Sequence, residues 1–248
     1  MTSPRSALFS HWFGTSADKA AYCTPIHGLI MKSMDDGMDL TFGTSEKVAD
    51  LPHRFPSSTE YERAIPLTVT FRPFEPRLFE RDDIIENIFQ SVPLANLTKF
   101  LLDSYSLPST IWEDTFRDLP KLRSITLVKK GLPDLVDTLS IHYPPPPPNT
   151  EGPTCPDPFQ VFAPSLEQIE LVEIGFIDRW NGEFYRNRVE RLPRALTRRQ
   201  EVTGRALERL DLYDCRYLYS FHVQHLSRVV GSLKWDEKER EGGDGTAE

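Results

Sequence analysis

The chain predicts an α/β fold: a short, irregular solenoid of parallel strands with helices on its convex side. One short pattern stated four times, and helix-spaced apolar runs between the copies, point to it. Leu97-Thr98-Lys99-Phe100-Leu101-Leu102 reads L-x-x-h-x-L, where h is apolar. The pattern returns at Leu122–Leu127, Leu166–Leu171 and Leu207–Leu212. Side chains of an extended strand alternate between faces. Positions four and six therefore point one way, positions three, five and seven the other, and the leucine at position one turns inward. One such strand cannot bury its own apolar side, whereas stacked parallel copies share an interior.

The copies are unevenly spaced. Leu97 and Leu122 stand 25 residues apart, within the roughly 20–29 expected of such repeats, while the next gaps are 44 and 41 and each must carry an insertion or a degenerate unit. The last copy alone extends to the longer form of the pattern, with Cys215 where that form uses Asn or Cys.

In chain order, residues 1–64 mix Ser, Thr, Asp, Gly and Pro with scattered aromatics and form a poorly ordered or capping segment, with at most a short helix between Tyr22 and Leu40. Residues 65–235 hold the repeats. Ile65–Phe71 alternates apolar and polar residues and predicts a strand, a candidate first parallel strand of the sheet. A helix follows over 82–92, with Ile84, Ile85, Ile88 and Phe89 on one face. After the Leu97 strand, Ser109 is placed to cap a helix carrying Trp112 and Phe116, with acids in its first turn. After the Leu122 strand, a helix over 133–142 turns Leu135, Val136 and Leu139 inward.

Pro144 to Pro148 favour a polyproline II rod. With no Lys or Arg close by, the run fits a stiff insertion between repeats better than a ligand for an aromatic-lined groove. The 179–209 stretch is dense in arginine, with Glu183, Glu190, Glu201 and Glu208 interleaved. It predicts a solvated helical face with i,i+4 pairs, a phosphate or nucleic-acid patch being the other reading. Val223, Leu226, Val230 and Leu233 predict a final helix, and residues 236–248 a disordered acidic tail.

Bulk properties narrow the function. Apolar residues make up 39% and charged residues 27% of 248, and the mean hydropathy of -0.42 leaves no membrane-spanning run. The first ten residues lack the apolar core of a signal peptide. Cys23, Cys155 and Cys215 are odd in number and far apart, which predicts reduced thiols in cytoplasm or nucleus. A net charge of -8 makes nucleic acid an unlikely main partner.

The motifs for chemistry are thin. His222 and His225 lie near Cys215 in sequence, yet no third and fourth ligand stands at zinc spacing. Cys23 and His27 suggest a nucleophile and base, but four residues of separation in a polar segment is a weak signal, since catalytic pairs are assembled in space rather than in sequence. No phosphate loop, G-x-S-x-G or H-E-x-x-H is present. We therefore expect no enzyme, no cofactor and no metal; the rival readings are a metal-dependent or hydrolytic enzyme, and the Arg-rich phosphate or nucleic-acid binder.

The strands ending in Leu-x-Leu, the lead-ins Leu119-Pro120-Lys121-Leu122 and Ala163-Pro164-Ser165-Leu166, and the closing Leu210-Asp211-Leu212-Tyr213-Asp214-Cys215 resemble the leucine-rich-repeat region of fungal F-box proteins. The resemblance covers about Ile65 to Trp235. It implies repeats that hold a substrate of a cullin-RING ubiquitin ligase, and an F-box that docks the ligase adaptor. No F-box is visible here: Leu51-Pro52-His53-Arg54, the nearest counterpart of its opening, runs into helix-breaking Pro56. What remains is an F-box-like, non-enzymatic protein-protein interaction module. Its partner is expected on the concave sheet face, at Lys99, Leu101 and Asp103; Ser124, Thr126 and Val128; Gln168, Glu170 and Val172; Arg209, Asp211 and Tyr213. Leu101, Val128, Val172 and Tyr213 are expected to make an exposed, mostly apolar row with a polar rim.

Overall fold

Alternation of apolar and polar residues lays down the strands. In a computed structural model, the structure describes residues 26–34, 37–43, 67–71, 81–140, 161–176, 178–180, 183–185 and 187–238. Strands β1 (Gly28–Met34), β2 (Gly37–Gly43) and β3 (Leu67–Phe71) precede helix α1 (Arg81–Ser91). Next come β4 (Lys99–Asp103), a helical turn α2 (Ser109–Ile111, continued as a π-turn Trp112–Phe116), β5 (Ser124–Val128), α3 (Leu132–Ser140) and β6 (Gln168–Val172). A hairpin of β7 (Asp178–Trp180) and β8 (Glu183–Tyr185) leads to α4 (Asn187–Thr203), β9 (Leu207–Tyr213), α5 (Ser220–Leu226) and β10 (Val230–Trp235).

Eight of the strands form one sheet in the order β10-β9-β6-β5-β4-β1-β2-β3. Pairing is parallel from β10 through to β1, and antiparallel from β1 to β2 and β2 to β3. The four sequence copies lie in strict register, with Phe100, Ile125, Ile169 and Leu210 side by side and Leu102, Leu127, Leu171 and Leu212 beside them. All eight are 0–1% exposed, as are Leu97, Leu122 and Leu207 at position one. Helices cover this apolar side. Ile85, Ile88 and Phe89 of α1, Trp112 and Phe116 of α2, Leu135, Val136 and Leu139 of α3, and Leu192, Ala195 and Leu196 of α4 join the strand residues in one core. Around Phe100 the packing is aromatic, with Trp112 edge-on at 5.5 Å and Phe116 tilted at 4.6 Å between ring centres.

Two further copies of the pattern emerge from the register. Ile26-His27-Gly28-Leu29-Ile30-Met31 places Leu29 beside Phe100 and Met31 beside Leu102. Val230-Gly231-Ser232-Leu233-Lys234-Trp235 places Leu233 beside Leu210 and Trp235 beside Leu212. The sheet thus takes in Gly28–Met34 and Gly37–Gly43, ahead of the boundary expected at residue 65. That end of the sheet is a cap in position, but one built of strands rather than of irregular chain.

Equivalent backbone bonds recur from copy to copy. Thr98 and Lys99 both donate to the His27 carbonyl, Arg123 and Ser124 to that of Thr98, and Glu167 and Gln168 to that of Arg123. At the strand exits, Ser104, Lys129, Glu173, Asp214 and Glu237 all occupy position eight with φ between 49° and 67°. Left-handed backbone is uncommon outside glycine and costs about 1–2 kcal/mol. The N–H groups of Ser104, Lys129 and Glu173 offset this by donating to Val128, Val172 and Tyr213 carbonyls of the next strand at 2.8–2.9 Å.

Several expectations are corrected. β3 pairs antiparallel with β2, so it is no first parallel strand. Ser109 begins the α2 helix instead of capping it; the cap is Pro108, with no side-chain bond. The final helix stops at Leu226, because Val230 and Leu233 belong to β10. Of the tail, Asp236–Lys238 is placed: Asp236 accepts the Asp214 N–H at 2.8 Å and Lys238 reaches Asp214 at 2.9 Å. The five prolines and residues 239–248 lie outside the described residues.

β10 closes tightly on β9. A Cβ at Gly231 would stand 2.9 Å from the Glu208 carbonyl oxygen, which is backbone and cannot swing aside. Gly231→Ala is expected to cost about 1–3 kcal/mol, the usual penalty of overpacking, measured as a lowered melting temperature; an unchanged one would mean that β10 can lift off.

Candidate interaction face

The side of the sheet away from the core carries three rows. The first is Lys99, Ser124, Gln168 and Arg209, extended by Ser232. The second is Leu101, Thr126, Glu170 and Asp211, extended by Ile30 and Thr41 at one end and Lys234 at the other. The third is Asp103, Val128, Val172 and Tyr213, extended by Lys32 and Asp39. All twelve residues singled out from sequence therefore share one face. Ile30, Lys32, Ser232 and Lys234 were missed because the first and last copies were, and Asp39 and Thr41 because β2 was. Position counting from Ile26 and Val230 finds all but Asp39 and Thr41.

Their exposure differs from the expectation. Asp103, Ser124, Val128, Glu170 and Asp211 are buried; Lys99, Leu101, Thr126, Gln168, Val172 and Tyr213 are half-buried; Arg209 is exposed. The expected apolar row also splits. Leu101 stands one row away, between Ile30 and Thr126, while Val128, Val172 and Tyr213 line up with Asp103. The face is a polar floor with cationic tips, not an exposed apolar stripe.

Long side chains hold down the short acids. Asp211 accepts Arg209 Nε at 2.8 Å and Gln168 Nε2 at 3.1 Å, and is 0% exposed. Its carboxylate in turn holds the Arg209 guanidinium above its ordinary range. Thr126 Oγ1 donates to Glu170 Oε2 at 3.1 Å. Burial pushes the Glu170 carboxyl up to about 7. Asp103 accepts Ser104 Oγ at 2.7 Å and lies 4.0 Å from Lys32 Nζ. Lys234 Nζ sits 5.3 Å from the centre of the Tyr213 ring, a cation–π distance.

Cys215 and His222 both make bonds within the fold. Cys215 is buried; its thiol lies 3.5 Å from the Leu171 carbonyl, and burial pushes it up to about 12. That thiol is unreactive at neutral pH. His222 Nδ1 accepts the Tyr219 N–H at 3.3 Å, and burial lowers its pKa. Among the described residues no group of three or more His, Cys, Asp or Glu is placed to hold a metal ion. Cys23 lies outside them, and the His27 carbonyl serves the backbone bonds above.

The Arg-rich stretch is only partly the solvated face expected. Arg194 pairs with Glu190, Arg198 with Glu201 and Arg191 with Asp137. Arg199 is 3% exposed and donates to the carbonyls of Phe162 at 2.6 Å, Ala163 at 2.8 Å, Pro164 at 3.3 Å and Leu166 at 3.4 Å. Burial lowers its pKa to about 10, so it stays charged at neutral pH.

No protein-family model, curated protein or solved structure matches the chain. No helix among the described residues is long and apolar enough to cross a membrane.

Proposed function

We propose that the chain is a leucine-rich-repeat-like solenoid that acts as a protein-interaction module without catalysis, its partner docking on the sheet face opposite the helices. The observation that carries this reading is the register of that face. Lys99, Ser124, Gln168 and Arg209, with the two rows beside them, are brought together from strands far apart in sequence. An array of polar groups, with Arg209 and Lys234 exposed above buried acids, suits a protein surface of mixed charge. By the resemblance above, the partner is a ligase substrate and a cullin-RING adaptor is the accessory; the odd, scattered cysteines favour cytoplasm or nucleus.

Capture by the immobilised chain, with and without that adaptor, tests it. Lys234→Glu reverses an exposed charge and should reduce capture at least tenfold, with a small drop in melting temperature because it removes the cation over the Tyr213 ring and sets a third carboxylate beside Asp211. Undiminished capture moves the docking surface elsewhere. Arg209→Ala should reduce capture too, but is not silent in stability. Asp211 then loses a charge-assisted bond, a loss of about 1–2 kcal/mol once the half exposure of Arg209 is allowed for. Tyr213→Ala serves as the neutral companion. A melting temperature unmoved by Arg209→Ala would show that water replaces the guanidinium.

A further inference from the structure

Glu170 and Asp211 are direct partners on β6 and β9. Their side chains leave adjacent parallel strands on the same side, at the strand spacing of about 4.8 Å. They are 3% and 0% exposed. Two carboxylates so placed resist carrying charge together, because the second must form beside the first in a poorly hydrated site. Their surroundings differ. Asp211 holds Arg209 and Gln168 by hydrogen bonds. Glu170 accepts a bond from Thr126, a neutral hydroxyl.

We propose that Glu170 and Asp211 form a one-proton switch in the sheet face, in which the Glu170 carboxyl, buried beside a second carboxyl, holds a proton that it gives up to water as the pH rises. The groups acting on Glu170 are Thr126 from β5, Asp211 and Arg209 from β9, and Lys234 from β10. Burial is the largest influence and favours the protonated acid. The Thr126 bond opposes it, Asp211 reinforces it, and Arg209 and Lys234 oppose it. Those two cations have exposed tips, so solvent and salt weaken their pull. The switch adds one negative charge to the middle row of the face. Its effect on capture rests on the docking reading above; the titration itself does not.

The sign follows from the raised value of about 7. Below about pH 4.3 the unfolded chain also holds this proton, so folding is indifferent to it. Between there and about 7 the unfolded chain ionises while the folded one resists, and stability falls. Above 7 the loss is complete.

Carboxyl-carbon NMR of the whole wild-type chain, titrated from pH 4 to 8.5, tests the switch without a variant. Glu170 is expected to titrate with a midpoint about 2 units or more above the ordinary glutamate value. Asp211→Asn is expected to lower that midpoint. Glu170→Gln should remove a fall in melting temperature of roughly 5–10 °C between pH 5 and 7.5. A wild-type Glu170 midpoint in the ordinary glutamate range, or melting profiles of wild type and Glu170→Gln that run parallel, overturns the proposal. If the titration holds and capture is the same at pH 6 and 8, the docking reading fails while the switch stands.

Discussion

Leu210→Asp is expected to abolish folding. Leu210 lies at 0% exposure in the row that runs from Ile169 on β6 to Leu233 on β10. Losing a buried leucine side chain forfeits roughly 1.5–3 kcal/mol. The carboxylate that replaces it would stand in a row made of Phe100, Ile125, Ile169 and Leu233, which offers it no cation. An unpaired charge there adds a penalty larger than the lost burial. Together these reach the whole stability of an ordinary domain, about 5–15 kcal/mol. Far-UV circular dichroism should show no cooperative melt for Leu210→Asp, whereas Leu210→Met, which keeps the volume, should cost less than about 1.5 kcal/mol. A cooperative melt at the wild-type temperature for Leu210→Asp would take this strand out of the interior.

The parallel sheet was legible wherever leucine held position one and an apolar residue held four and six. It became illegible where substitutions kept the geometry and changed the letters. In Ile26–Met31, Ile30 points outward yet is apolar, which hides the alternation, and two methionines nearby favour helix as readily as strand. In Val230–Trp235, Val230 and Leu233 continue the helical spacing of Val223 and Leu226. Gly231 was the available signal against a helix there. The left-handed turns at Ser104, Lys129 and Glu173 leave no sequence mark, since the bond to the next strand is made by backbone. On the outward face, alternation put the residues on the correct side but could not set their depth. Asp211 is covered because Arg209 and Gln168 reach it, and pairing across strands is not contained in any one strand's letters.

Arg199 was the least legible residue, one of many arginines in its stretch, although it follows Leu192, Ala195 and Leu196 at the spacing of the buried stripe of α4. Its guanidinium serves four carbonyls of the segment that leads into β6. Arg199→Ala removes those donors in one step and leaves the carbonyls of Phe162, Ala163 and Leu166 under the helix. Each buried acceptor left unsatisfied costs about 1–3 kcal/mol, against which the cost of burying the cation is recovered. The net loss is expected at about 3–5 kcal/mol by urea denaturation. Arg199→Lys should recover less than half of it, because one ammonium on a flexible stem cannot span carbonyls arranged for a planar fork. A loss below about 1 kcal/mol for Arg199→Ala would mean that water enters and takes over the carbonyls. The same substitution should speed hydrogen exchange at Gln168–Val172 more than at Lys99–Asp103, since those four carbonyls precede β6 and the guanidinium is what binds them to α4.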